Sequence, residues 1–227
     1  MARKTKAHQR YRLKDGTIVP STTTIINELG WNKNALIAWA RREALAGNDP
    51  DKVRDQAADI GTLAHYMIEC HLKGEEPDIS EYGQADIDKA ENCYLNYLEW
   101  EKEHVDEVWH SELQLVSEVH KYGGTMDLVG VIDRKPSLLD FKSSKGGYPE
   151  FKVQIAAYLQ LYFENFRRER TSLLGDEYIL TGHILRLDKN GDGFEHHVLG
   201  RLTDTLHYPW EVFVHCRQLY DLKKKVC

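Results

Sequence analysis

The spacing of apolar residues changes character near residue 105. Before it, apolar positions recur at helical intervals; beyond it they alternate or run together, as in half-buried and buried strands. The opening stretch 11–19 is an exception, a short alternating segment that folds back about Asp15-Gly16, a tight-hairpin dipeptide. Pro20-Ser21 then opens a short helix that Gly30 ends, and a second helix covers 34–46, where Gly47 stops it. Asp49-Pro50 supplies a cap and a first-turn proline for a third helix reaching Lys73 before Gly74. An acidic helix follows over 84–104. Extended runs cover 107–119, 124–132 and 137–142, and an amphipathic helix spans 149–170. A hairpin of 178–187 with 194–199 and a helix after Pro209 close the chain. This order predicts an α/β sandwich with a mixed sheet.

At 227 residues the chain fits a single domain, with hairpin and helices over 1–105 and a sheet core over 106–227. No apolar run reaches the roughly 18 residues of a membrane span, and the N-terminal residues lack the apolar stretch of a secretory signal. Cys70, Cys93, Cys216 and Cys227 show no paired spacing, which predicts reduced thiols in a cytoplasmic protein.

The net charge of −6 argues against a protein that coats nucleic acid. Its distribution is uneven, however. Six basic and no acidic residues lie between Arg3 and Lys14, whereas thirteen acidic residues face two lysines between Glu75 and Glu112. Further basic clusters sit at Arg167-Arg168-Glu169-Arg170 and Lys223-Lys224-Lys225. Solvated faces account for such runs, and so does a polarised molecule offering phosphates one local groove.

The chemistry concentrates in 123–142. Leu138, Leu139 and Phe141 make the third strand apolar, yet Asp140 and Lys142 interrupt its end. Alternation puts these two on one face and Phe141 on the other. Folding the second and third strands back about the 133–137 segment brings Asp127 within a residue or two of Asp140. Two converging carboxylates repel and desolvate each other, and a hard cation such as Mg²⁺, or Mn²⁺ in its place, relieves both. With an ammonium beside it, that set suits metal-assisted phosphodiester hydrolysis. A structural Asp–Lys pair at a strand end would leave the same pattern.

Gly124-Thr125-Met126-Asp127, Leu139-Asp140-Phe141-Lys142-Ser143-Ser144, Gln154-Ile155-Ala156-Ala157-Tyr158 and, upstream, Gly61-Thr62-Leu63-Ala64-His65 together resemble the RecB-type exonuclease branch of the PD-(D/E)XK nucleases. The branch includes the mitochondrial genome maintenance exonuclease and phage exonucleases. The likeness covers 59–162, and the four motifs stand in the family's order. It implies a restriction-endonuclease-like core and a Mg²⁺-dependent deoxyribonuclease acting on single-stranded DNA ends. It implies Asp127, Asp140, the carbonyl of Phe141 and His65 as metal ligands, with Lys142 activating water. Gln154 and Tyr158, four apart on one helix face, would line the site and hold DNA. Glu112 stands where some relatives carry a further acid, and Lys145 begins a basic loop suited to phosphate. Two alternatives are a structure-specific or nicking endonuclease of the same fold and a non-cleaving DNA-binding module.

Three signals point away from themselves. Asp188-Lys189-Asn190-Gly191-Asp192-Gly193 begins like a calcium loop, but Leu199 stands where the closing Glu belongs, so a hairpin turn is expected. His196 and His197, adjacent on a strand, face opposite ways and cannot share an ion. Some relatives hold an iron–sulfur cluster on one upstream and three clustered downstream cysteines, a spacing this chain lacks; no cluster is expected.

Overall fold

A computed structural model describes residues 10–144, 146, 149–170 and 180–226, with backbone alone at 167–170. β1 (Tyr11–Arg12) and β2 (Ile18–Val19) form the small hairpin, followed by α1 (Thr22–Ile26), α2 (Lys33–Leu45), α3 (Pro50–Lys73) and α4 (Gln84–His104). The main sheet comprises β3 (Val105–Ser117), β4 (Tyr122–Ile132), β5 (Lys135–Lys142), β6 (Thr181–Leu187) and β7 (Phe194–Gly200). Between β5 and β6 lies α5 (Pro149–Arg170), and α6 (His207–Val226) closes the chain.

The caps are the ones the sequence advertises. Ser21 accepts from the Thr24 amide to start α1, and Asp49 accepts from Asp51 and Lys52 at the head of α3. Gly74, at φ 69°, ends α3 in the left-handed conformation that costs glycine least. α1 stops at Ile26, earlier than Gly30 suggests, and α6 begins two residues before Pro209. A proline in the first turn removes no bonded N–H, so it is compatible with a helix start on either side of it.

The five strands lie in the order β3-β4-β5-β6-β7, antiparallel except for β5 against β6. The sheet is therefore mixed, with helices on both faces. One face packs under α1, α5 and α6 through Met126, Val129, Leu138 and Phe213; the other packs under α3 and α4 through Leu63, Tyr97, Trp100, Leu128, Leu139 and Phe141. Leu138 and Leu139 thus separate to opposite cores, as alternation requires.

The β4–β5 turn is tighter than expected. Ile132 pairs with Lys135, leaving only Asp133 and Arg134 in the loop, at φ 49° and 62°. Two positive-φ residues are the conformation whose twist matches that of the flanking strands. The expected turn of 133–137 takes in Pro136, but Pro136 lies within β5. The β5–β6 ladder begins only at Ser137, so Pro136 stands where β5 has one neighbour and a missing N–H is tolerated.

The 188–193 segment is the hairpin turn expected. The Asp188 amide donates to the Gly193 carbonyl, and the Asn96 amide group bonds both carbonyls from α4. No described helix is long and apolar enough to cross a membrane. Cys70, Cys93 and Cys216 are buried free thiols.

Candidate functional site

The site originates in a failure of pairing. The β4–β5 ladder runs from the turn to Leu128–Leu139 and ends there. Beyond it the strands part, and the gap beside β4 is filled from the N-terminal segment. Ser21 bridges Gly123, the Gly123 amide donates to the Pro20 carbonyl, and Thr22 donates to the Gly123 carbonyl. The facing of β4 also reverses at this point. Met126 packs under α5 whereas Leu128, two residues on, packs under α3 and α4. Strict alternation would put both on one face; the reversal is centred on Asp127.

Asp127 and Asp140 stand at the mouth of this fork, 8% and 3% exposed. Burying a carboxylate costs several kcal/mol unless partners replace its water, so the partners define the site. Asp127 Oδ2 accepts from the Phe141 amide at 2.7 Å, a side chain taking the place of the missing backbone acceptor. Its Oδ1 lies 3.5 Å from His65 Nδ1. Asp140 Oδ2 is 2.5 Å from Lys142 Nζ, and Oδ1 accepts from Gln154 Nε2 at 3.1 Å. Gln154 returns its Oε1 to Lys142 Nζ at 3.0 Å and donates to the Tyr158 hydroxyl at 3.0 Å. Lys142 also sits over the Phe151 ring, 4.9 Å from its centroid.

Each supporting element is placed by a close contact. On α3, a side chain at Gly61 would come 2.8 Å from Ser143 Oγ, so this glycine lets the helix carrying His65 lie against the end of β5. On β4, a Cβ at Gly124 would meet the Tyr158 ring at 2.6 Å, so α5 presses equally close from the other face. The Phe141 ring is held edge-on between His65 at 5.7 Å and Tyr97 at 5.3 Å, which fixes the strand end at which Asp140 and Lys142 emerge.

Glu112 joins the group from β3. It adopts φ 52°, an uncommon conformation for a non-glycine residue and one that recurs where a strand is bent to re-aim a side chain. One oxygen each of Glu112 and Asp127 and one nitrogen of His65 lie within 4.8 Å of one another. A mixed O,O,N donor set from three elements fits a divalent ion. Asp140 is not within that group, because its oxygens are turned to Lys142 and Gln154.

The electrostatics separate the two carboxyls. Burial pushes Asp127 up, but His65, Lys142 and the Phe141 amide outweigh it and hold its pKa below the ordinary value. Burial pushes Asp140 up to about 6, with Lys142 opposing and the charge of Asp127 adding to the rise. Burial lowers His65, yet Asp127 and Asp140 prevail and raise it. Tyr158 is pushed well up by burial and then by Asp140, so it keeps its proton.

Of the residues singled out in the sequence, His65, Glu112, Asp127, Asp140, Phe141, Lys142, Gln154 and Tyr158 meet at the fork. Lys145 and residues 1–9 of the basic arm lie outside the described residues, as do the side chains of Arg167, Arg168 and Arg170. Alternation gave no reason to expect Glu112 among the ligands, because its backbone leaves the strand conformation there. Phe151 was overlooked; an aromatic three residues before Gln154 on the same helix was the available signal. His196 and His197 do not combine, but His196 meets His104 and Asp133 instead.

No family model matches the chain, and no curated protein matches it. A solved structure that is similar, the crystal structure of SSO0001, covers 86% of this chain and 74% of its own at 16% identity and a TM-score of 0.40.

Proposed function

We propose that this chain is a divalent-metal-dependent deoxyribonuclease of the PD-(D/E)XK kind, hydrolysing phosphodiester bonds from single-stranded DNA ends. The observation that carries the reading is the fork itself: buried Asp127 and Asp140, with Lys142, at the point where two strands part. A structural ion pair would need Asp140 and Lys142 alone. Here a second carboxylate, a histidine and a third acid converge within ligand distance.

Glu112, Asp127 and His65 would hold Mg²⁺ or Mn²⁺ from one side. Asp140 and the Phe141 carbonyl, the family's remaining ligands, lie on the adjoining strand end. When bound, such an ion polarises a phosphate oxygen and lowers the pKa of a coordinated water. Lys142 is held by Asp140, Gln154 and the Phe151 face; from that mount its ammonium would act on an attacking water or on charge developing at the phosphate. Tyr158, protonated, steadies Gln154 and through it the Lys142–Asp140 pair. The end preference rests on the likeness of the four motifs to exonucleases.

The test is digestion of linear and covalently closed circular DNA, single- and double-stranded, with Mg²⁺ or with chelator. The expected result is metal-dependent loss of linear single strands with circles spared. Circles cut as fast as linear strands would replace the exonuclease by an endonuclease of the same site. No cleavage of any form, with DNA still bound, would leave the binding-module alternative.

A further inference from the structure

The β4–β5 hairpin carries a second cluster at its other end, about five strand residues or roughly 17 Å from the fork. There His104, the last residue of α4, Asp133 in the two-residue turn and His196 on β7 each place one ligand-capable atom within 4.8 Å of the others. We infer that these three residues form a second cation site, for a borderline divalent ion of which Zn²⁺ is the type, independent of the proposed catalytic centre.

Three observations carry this. The first is the fastening of the donors. The Asp133 amide donates to the His104 carbonyl at 2.9 Å, and the Asp133 carboxylate meets His104 Nδ1 at 2.9 Å. The adjoining Arg134 amide donates to Asp106, so the turn is tied on both sides. The His104 ring is also stacked on buried Trp100, with His196 edge-on to both rings. Two donors are therefore largely in place before an ion arrives, and Asp133, with 48% of its side chain exposed, can adjust inward.

The second is His183. It is 2% exposed on β6, and its Nδ1 lies 2.9 Å from His196 Nε2. Its Nε2 has no hydrogen-bond partner among the described residues. A buried imidazole with one polar contact is costly, and that contact fixes the ring of His196. Metal-ligating histidines are held through their other nitrogen in this way.

The third is donor chemistry. Two imidazoles and one carboxylate suit Zn²⁺ and its first-row neighbours, whereas Mg²⁺ selects oxygen. At Zn–N distances of about 2.0–2.1 Å, tetrahedral donors stand roughly 3.4 Å apart, so closing from within 4.8 Å needs only side-chain adjustment. The half-exposed Asp133 side leaves the fourth position to water. Such an ion would tie edge strand β7 to the α4–β3 junction and the β4–β5 turn, which already share the Asp133–His104 backbone bond.

The experiment is calorimetric titration of the chelator-stripped full chain with ZnCl₂, with excess Mg²⁺ present to occupy the oxygen-rich fork, followed by thermal melts. One Zn²⁺ per chain should bind, with a melting temperature raised by about 5 °C at a hundredfold excess over its dissociation constant. Asp133→Asn and His104→Gln should each weaken that binding by more than about tenfold, His183→Gln by about tenfold, and Asp127→Asn not at all. Asp133 is exposed enough that its variant should fold, which its metal-free melt checks; His104→Gln gives a second reading if it does not. Absence of zinc binding to the parent would overturn the site, as would undiminished binding in the folded variants. Loss in Asp127→Asn instead would place the ion at the fork and overturn it equally.

Discussion

The two ends of the β4–β5 hairpin solve opposite problems. At the closed end the ladder runs unbroken to a two-residue turn, and every step from Leu128–Leu139 to Ile132–Lys135 is paired backbone to backbone. At the open end the ladder stops, and side chains do what backbone did: Asp127 accepts from the Phe141 amide, and Gln154 bridges Asp140 and Lys142. Buried charge is concentrated where pairing fails. A carboxylate beside a complete ladder would have no amide to accept from, whereas a parted pair of strands exposes both the donors that hold a charge and the space for what it binds. Local rules of alternation and pairing are broken at one end of one hairpin, and departures of that kind collect at functional or strained positions.

That contrast can be attacked first through Lys142. Lys142→Ala should lower the cleavage rate by about a hundredfold or more and leave DNA affinity nearly unchanged. Parental turnover in the variant would reduce the open end to a structural ion pair. Next in size is Glu112, whose left-handed backbone brings its carboxylate to Asp127 and His65. Glu112→Gln should weaken Mn²⁺ binding by about tenfold or more, as for loss of a group that holds a metal site. Equal Mn²⁺ isotherms would show the bend to be unrelated to the ion.

A third test uses Asp140. Its carboxyl rises on folding to about 6, from roughly 3.9 in an unfolded chain. The folded state then takes up a proton before the unfolded state does. The resulting cost is fully present above about pH 6 and fades as pH falls toward about 4. Metal-free Asp140→Asn should therefore melt no lower than the parent at about pH 7.5, and any advantage should shrink at about pH 5. Saturating Mn²⁺ should raise the parent by several degrees, since about 2.7 kcal/mol accrues at a hundredfold excess over the dissociation constant. The variant should gain little. Equal gains would move the ion away from Asp140, and a gap that widens in acid would contradict the burial argument. The smallest effect belongs to the closed end. Arg134→Gly creates Asp-Gly in a turn whose second residue already has φ 62°, so stability should rise by about 0.5–1 kcal/mol. Cleavage should be unaffected, and a loss of activity there would mean that the ends are coupled.

Much of this was legible in sequence because it is local. Caps such as Asp49-Pro50 and Gly74 bound α3, and Leu138, Asp140 and Lys142 alternate with Leu139 and Phe141 as a strand must. The convergence of Asp127 with Asp140 followed from a hairpin between them. What could not be read was non-local or broke the period. The turn was expected to take in Pro136, and whether a proline is tolerated there depends on where β6 begins. Glu112 was a candidate only through the resemblance, because nothing in its neighbours signals a positive φ. His104, Asp133, His183 and His196 come from four elements and meet only when the sheet is complete.

The bond from the Phe141 amide to Asp127 makes one backbone proton a witness to the site. Sheet amides are usually bonded to backbone carbonyls and report on the sheet; this one is bonded to a carboxylate, the one proposed to hold the ion. Its chemical shift and exchange rate should follow ion binding and DNA arrival at the fork. A single assigned amide resonance would then track occupancy in a protein that never turns over, with no substrate label and no added probe.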